Sequence, residues 1–171
     1  MTNWKGLYEE AEEVARNLHN GQSYDIFPYT KHLRDVVTIL EEHGFVNEYI
    51  IAGWLHDSLE DCNISYSKIL KAFGKDVAEM VYAVTDPKGR TRQEKKVKVY
   101  EDLKNYPKAI AIKLADRIAN IRNCIRMGNT EKLERYRKED QDFREALRLH
   151  SQVNCNLMWS TYDDLILEVE V

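Results

Sequence analysis

Two short stretches of this chain carry side chains whose types and spacing suit metal-assisted hydrolysis. In the first, His56 and Glu60 stand four residues apart, as do Asp57 and Asp61. On a helix these four groups project within roughly 140° of arc over two turns. Crowded carboxylates repel one another unless a cation neutralises them, so a bound metal would resolve the conflict. His and Asp are suitable ligands for a first-row metal, and Glu60 and Asp61 on the next turn would orient a water or hold a substrate. A solvated helix face bearing four polar groups is the competing reading of this segment alone.

The second stretch places Lys113, Asp116, Asn120 and Asn123 at steps of three, four and three, on one helix face. Its opposite side is almost entirely aliphatic, so the helix is expected to be buried. Lys113 and Asp116 then need partners inside the fold, either a metal or a salt bridge. His32 lies beside a Val-Leu stripe, where a histidine on its own reads first as structural.

The elements that must position these groups read as helices. Only seven glycines and three prolines punctuate the chain, and apolar residues recur at helical spacing. Trp4, Leu7, Ala11, Val14, Ala15 and Leu18 mark a first helix that ends near Asn20-Gly21. Leu33, Val36, Val37 and Leu40 mark a second, stopped by Gly44. Asn47 is expected to cap a third over about Glu48 to Asp61, with Ile50, Ile51, Trp54, Leu55 and Leu59 opposite the acidic groups. Ser65 to Phe73 and Asp76 to Val84 read as two shorter helices before an Asp86-Pro87-Lys88-Gly89 turn. Six basic residues and one acid, Glu94, fall between Lys88 and Lys98 and open a helix that stops before Pro107. Ile110, Leu114, Ile118, Ile121 and Ile125 mark a buried helix ending at Gly128. Its start also alternates like a strand, and length decides for helix. Glu131 to His150 and Val153 to Leu167 complete an all-α bundle of about eight helices, expected to form a single domain over residues 1–171.

Composition narrows the class of function. The 171 residues, 43% hydrophobic, suffice for an ordinary core. With 25 basic against 29 acidic residues the net charge is −4, unlike a dedicated nucleic-acid binder. The longest apolar stretches, such as Tyr49 to Leu55, fall far below the roughly 18 residues of a membrane span. Met1 to Glu13 is acidic and helical rather than a secretory signal, so a cytoplasmic protein is expected. Cys62, Cys124 and Cys155 are an odd number without metal-type spacing and read as reduced thiols.

Taken in order, His32, then His56-Asp57 with Glu60-Asp61, then Lys113-Leu114-Ala115-Asp116-Arg117 with Asn120, resemble the HD-domain metal-dependent phosphohydrolases. Within them the chain is most similar to the hydrolase domain of the RelA/SpoT alarmone enzymes and their small stand-alone relatives. His19-Asn20-Gly21-Gln22, Pro28-Tyr29, Phe73-Gly74 and Val84-Thr85 add to the match, which covers about residues 10 to 145. The resemblance implies a helical bundle around a buried metal site. It assigns His32, His56, Asp57 and Asp116 as ligands of one divalent ion, Mn2+ in those hydrolases, although such a donor set also admits Zn2+, Fe2+, Co2+ or Mg2+. Glu60 and Asp61 become the catalytic pair at the attacking water. Asn120 and Lys113 become substrate contacts, and Arg92, Lys95, Lys96 and Lys98 a polyphosphate clamp, with a solvated basic face as the alternative. Tyr136 falls beside the nucleoside or in the core.

The implied reaction is release of pyrophosphate from the 3′ position of guanosine tetra- or pentaphosphate (ppGpp or pppGpp) by a metal-activated water. Hydrolysis of another nucleotide or deoxynucleotide, and a non-catalytic nucleotide-binding module, are the alternatives. One departure bears on substrate. The arginine-lysine pair that helps hold guanine in the family is replaced within Gln22-Ser23-Tyr24-Asp25-Ile26-Phe27, and Leu33 stands where a proline usually follows the first histidine. The metal chemistry is untouched by that change. The implied partner is a small-molecule nucleotide, with no nucleic acid and no membrane. Homo-oligomerisation stays open, since Trp159, Tyr162, Leu165 and Leu167 fit either a core or an interface.

Overall fold

A computed structural model describes residues 2–89 and 91–169. Arg90, one of the six basic residues of the Lys88–Lys98 run, lies outside the described residues, as do Met1, Glu170 and Val171. Helix α1 (Trp4–Leu18) opens at Asn3, whose side-chain oxygen accepts the Gly6 N–H at 3.2 Å, and it buries Ala11 and Ala15. Two short strands follow in a stretch expected to be a loop. Strands β1 (Ser23–Tyr24) and β2 (Phe27–Pro28) pair antiparallel, with Tyr24 opposite Phe27. Asp25 at the tip takes φ 53°, a left-handed conformation that Asp tolerates better than most residues.

Helix α2 (Thr30–Glu42) then lies against α3 (Glu48–Leu55) and the later α8 (Ile110–Met127), at the centre of the bundle. The helix expected over 48–61 is in fact two. Helix α3 ends at Leu55, and a single turn, α4 (Ser58–Asp61), follows after His56 and Asp57. Two features account for the break. The His56 ring takes the Gly53 carbonyl at 2.8 Å, and Asp57 sits at φ −95°, ψ 0°, in the bridge region outside regular helix. Asn47 also departs from expectation: it is left-handed, makes no side-chain cap, and instead donates its backbone N–H to the Tyr8 hydroxyl at 2.6 Å.

Helices α5 (Tyr66–Phe73), α6 (Lys75–Val84) and α7 (Arg92–Asn105) lead to a 3-10 turn over Pro107–Ala109, then α8, α9 (Thr130–Leu147) and α10 (Asn156–Val169). The described residues thus form ten α-helices and one hairpin, an all-α architecture as expected. Helix α8 is buried along most of its length, from Ile110 to Ile121, and is closed by Gly128 at φ 65°, where a side chain would be strained. Trp159 and Tyr162 pack on Phe143 in the core, whereas Leu167 is largely exposed. At Gly53 a methyl group would stand 2.8 Å from Leu40 Cδ1 and 3.2 Å from Val37 Cγ2, so the Leu40 and Val37 side chains of α2 pack directly onto the α3 backbone and would have to shift for any side chain there. All three cysteines are free thiols, and no described helix is long and apolar enough to cross a membrane.

Candidate active site

Three parts of the fold converge on one buried cluster. Helix α2 contributes His32, the α3–α4 break contributes His56 and Asp57, and α8 contributes Asp116. The two imidazole Nε2 atoms lie 3.3 Å apart. Asp57 Oδ2 is 2.9 Å from His56 Nε2 and 3.5 Å from His32 Nε2, and Asp116 Oδ1 is 3.3 Å and 4.0 Å from His32 and His56. His56 Nδ1 donates to the Gly53 carbonyl, which fixes the tautomer and leaves Nε2 as the lone-pair donor. Burial would lower both histidines, but Asp116 and Asp57 overcome it and push His32 up to about 9. His56 is raised as well, and the same imidazoles hold the buried Asp57 carboxyl well below the usual carboxylate range.

That donor set fits a divalent ion. Ligand atoms of His32, His56 and Asp57 all fall within 4.8 Å of one another. Two imidazole nitrogens 3.3 Å apart beside two carboxylates make a four-donor set in which a divalent cation would replace the protons that otherwise hold the pairs together. Asp116 closes the fourth side from α8.

On α4, Glu60 Oε2 accepts the Asp86 N–H at 3.0 Å. Burial pushes the Glu60 carboxyl up to about 7 against that hydrogen bond, with the charges of Asp86, Asp57 and Asp61 adding to the rise. Asp61 is raised too, first by burial. The Tyr29 hydroxyl donates to Asp57 Oδ2 at 2.7 Å and lies 3.5 Å from Asp61 Oδ2, while its ring stacks on His19 at 4.7 Å.

A cavity of about 210 Å³ lies over the cluster, walled by Tyr24, Tyr29, Glu60 and Asp61. It shares Asp86, Lys113, Asp116 and Asn120 with a second cavity of about 160 Å³. The second is lined by Arg92 and Lys96 of α7, by Arg117, and by Tyr136 and Glu139 of α9. Lys113 Nζ stands 3.8 Å from Asp116 Oδ2 on the shared wall. Arg92 Nε donates to Glu139 at 2.8 Å, Arg117 reaches the same carboxylate at 3.2 Å, and Lys96 stands 3.9 Å from it. The Arg117 guanidinium is sandwiched between the rings of Tyr136 and Phe143, 4.6 Å from each.

Of the expected clamp, Arg92 and Lys96 face the cavity and two residues do not. Positions 92, 96, 99 and 100 share the cavity-facing side of α7, so Lys95 lines neither cavity and Lys98 pairs with Asp102 instead. Asn120 lies on the wall, but its amide is engaged by protein groups: Nδ2 donates to the Asp116 carbonyl and carboxylate, and Oδ1 accepts from Tyr24. Tyr136 both lines the cavity and packs on Arg117. Tyr24, Asp86 and Glu139 were not anticipated. Glu139 had a usable signal, because Tyr136, Glu139, Phe143 and Leu147 recur at helical steps inside an otherwise charged run.

An HD-domain sequence profile matches residues 11–143. The Drosophila melanogaster guanosine-3′,5′-bis(diphosphate) 3′-pyrophosphohydrolase MESH1 is 36% identical over 99 residues, 56% of this chain and 55% of that protein. The chain therefore spans about half the length of that relative. The Xenopus tropicalis protein of the same name is 33% identical over 132 residues, 74% of each chain. Among solved structures, a metazoan ortholog of SpoT that hydrolyzes ppGpp superposes with a TM-score of 0.80 at 27% identity, covering 98% of both chains.

Proposed function

The chain belongs to the HD-domain family and is a homologue of the MESH1 and SpoT proteins, and from that premise we propose that it is a metal-dependent phosphohydrolase releasing pyrophosphate from the 3′ position of ppGpp or pppGpp. His32, His56, Asp57 and Asp116 hold one divalent ion, Mn2+. Bound there, the ion supplies Lewis acidity that makes a water nucleophilic near neutral pH and draws charge from a phosphoryl oxygen. Glu60 takes the proton of the attacking water. Its Oε2 is held by the Asp86 N–H, which leaves Oε1 for the transfer, and a carboxyl raised toward neutrality is matched to that task. Asp61, one residue on, orients the water, with its Oδ2 beside Tyr29. Water adds to the phosphorus next to the 3′ oxygen as that P–O bond breaks, and the proton taken up by Glu60 is returned to the departing 3′ oxygen, giving GDP and pyrophosphate from ppGpp.

Arg92, Lys96 and Lys113 neutralise the departing pyrophosphate, and Tyr136 offers a ring to the nucleoside. The observation that carries this reading is the convergence of two imidazoles and two carboxylates, one turn from Glu60 and Asp61, beside a cavity bearing those three cations. We take the reaction to be cytoplasmic, performed by residues 1–171 as one domain on a small-molecule nucleotide. The hairpin favours a second reading of the base alone. Tyr24 and Asp25 occupy the stretch where the arginine-lysine pair is expected, which suits a different nucleotide processed by the same metal centre.

The test is anion-exchange analysis of products from Mn2+-loaded protein given ppGpp, deoxynucleoside triphosphates and monophosphates in parallel, with a chelator control. GDP and pyrophosphate from the alarmone alone are expected. Turnover of another nucleotide would replace the substrate, and metal-loaded protein that turns over none of them would overturn the hydrolase.

A further inference from the structure

We infer that Tyr24 is a positioning residue for the metal centre, acting through Asn120 on the ligand Asp116. The inference rests on the metal site proposed above. Tyr24 is buried on the inner side of the hairpin, with its ring 4.7 Å from the His32 ring and Lys132 Nζ 6.0 Å over it. Its hydroxyl donates to Asn120 Oδ1 at 2.9 Å. Asn120 Nδ2 in turn donates to the Asp116 backbone carbonyl at 3.0 Å and to Asp116 Oδ1 at 2.5 Å. The direction of this relay is chemically forced. Both partners at Asp116 are acceptors only, so the NH2 group must face them and the amide oxygen must face Tyr24, whose hydroxyl then has to donate.

The relay fixes the same carboxylate oxygen that lies 3.3 Å from His32 Nε2. Outer groups of this kind set ligand orientation and metal affinity. The hairpin can exert that control because α8 anchors it separately: Asn123 Nδ2 donates to Asp25 Oδ2 at 2.5 Å, and Arg126 stands 5.5 Å from the Phe27 ring, as does Lys31 of α2. Asn120 and Asn123, three residues apart on one face of α8, thus hold the hairpin at two successive positions. Both amide hydrogens of Asn120 are spent while the relay is intact, so it has no donor left for a substrate and only one acceptor lone pair on Oδ1.

The test uses the full chain, Tyr24→Phe, Asn120→Ala and the double variant, reading Mn2+ affinity by isothermal titration calorimetry and ppGpp hydrolysis by steady-state kinetics. Tyr24→Phe keeps the ring and deletes one hydroxyl. Its Mn2+ Kd is expected to rise about tenfold, the low end for a group outside the ligands themselves, with KM for the nucleotide at saturating Mn2+ unchanged. Asn120→Ala should lose at least as much, and the double variant no more than Asn120→Ala alone, because the two act in series. An unchanged Kd in either single variant, additive losses in the double, or a raised KM with Kd intact would overturn the relay. If Tyr24→Phe fails to fold, an unchanged Kd in Asn120→Ala still overturns the relay. Calorimetry needs no nucleotide, so absence of ppGpp turnover in the unaltered chain would count against the proposed function and not against the relay.

Discussion

Two clusters of charge wall two adjoining cavities, one each, and they are built on opposite plans. Around Glu139 the carboxylate is satisfied within the protein: it meets Arg117 and Arg92, with Lys96 nearby and two aromatic rings beside Arg117, and the surplus positive charge faces the cavity. Around His32 the arrangement differs. Two carboxylates face two imidazoles, and the protons that hold these pairs together occupy the place a divalent cation would take. Glu139 and Arg117 belong to the scaffold, Arg92 and Lys96 serve both that carboxylate and the cavity, and the second arrangement belongs to a ligand, which separates residues whose loss costs stability from residues whose loss costs chemistry.

The sharpest way to break this distinction is to remove a ligand. Asp57→Ala and Asp116→Ala should each bring bound Mn2+, measured by elemental analysis, and turnover to background. Retained metal in either variant would show that the cluster is not the centre. Glu60→Gln should keep the metal and lose about 10²–10⁴ in kcat. Its pH profile sharpens the point. Glu60 must be ionised to accept a proton and its carboxyl is raised from 4.5 to about 7, so the rate climbs with pH across that interval, nearer its lower end as a bound cation offsets the shift. In Glu60→Gln that rising limb should be absent.

On the other side, Glu139→Ala leaves Arg117 buried without its carboxylate and should cost about 3 kcal/mol in urea unfolding, with Mn2+ affinity unchanged. A parallel fall in Mn2+ affinity would mean that the two clusters are one network. The smallest effect is that of chelation. Stripping metal held at about a hundredfold over its Kd removes about 2.7 kcal/mol, or about 5–11 °C of Tm in a chain of this size, and should do so equally in Glu139→Ala.

Much of this could be read from the residues in advance, for identifiable reasons. Helical spacing located the helices because burial enforces it, and His32, His56, Asp57 and Asp116 meet as the resemblance implied. What escaped was whatever depends on competition between local options. The break after Leu55 arises because a histidine ring takes a backbone carbonyl that helix would otherwise use. The polar stripe at Asn120 and Asn123 was visible, but its partners lie in a two-residue-strand hairpin too short to announce itself. A basic run likewise says nothing about phase, so Lys95 and Lys98 were indistinguishable from Arg92 and Lys96 until α7 was seen to turn one side to the cavity.

The glycine in α3 gives the metal centre a dimension that no ligand sets. His32 rides on α2 and His56 at the end of α3, so the 3.3 Å between their nitrogens is inherited from how those two helices pack, and at Gly53 the Leu40 and Val37 side chains of α2 fill the space a methyl group would take. Apolar packing behind the site thus sets the separation of two of its donors.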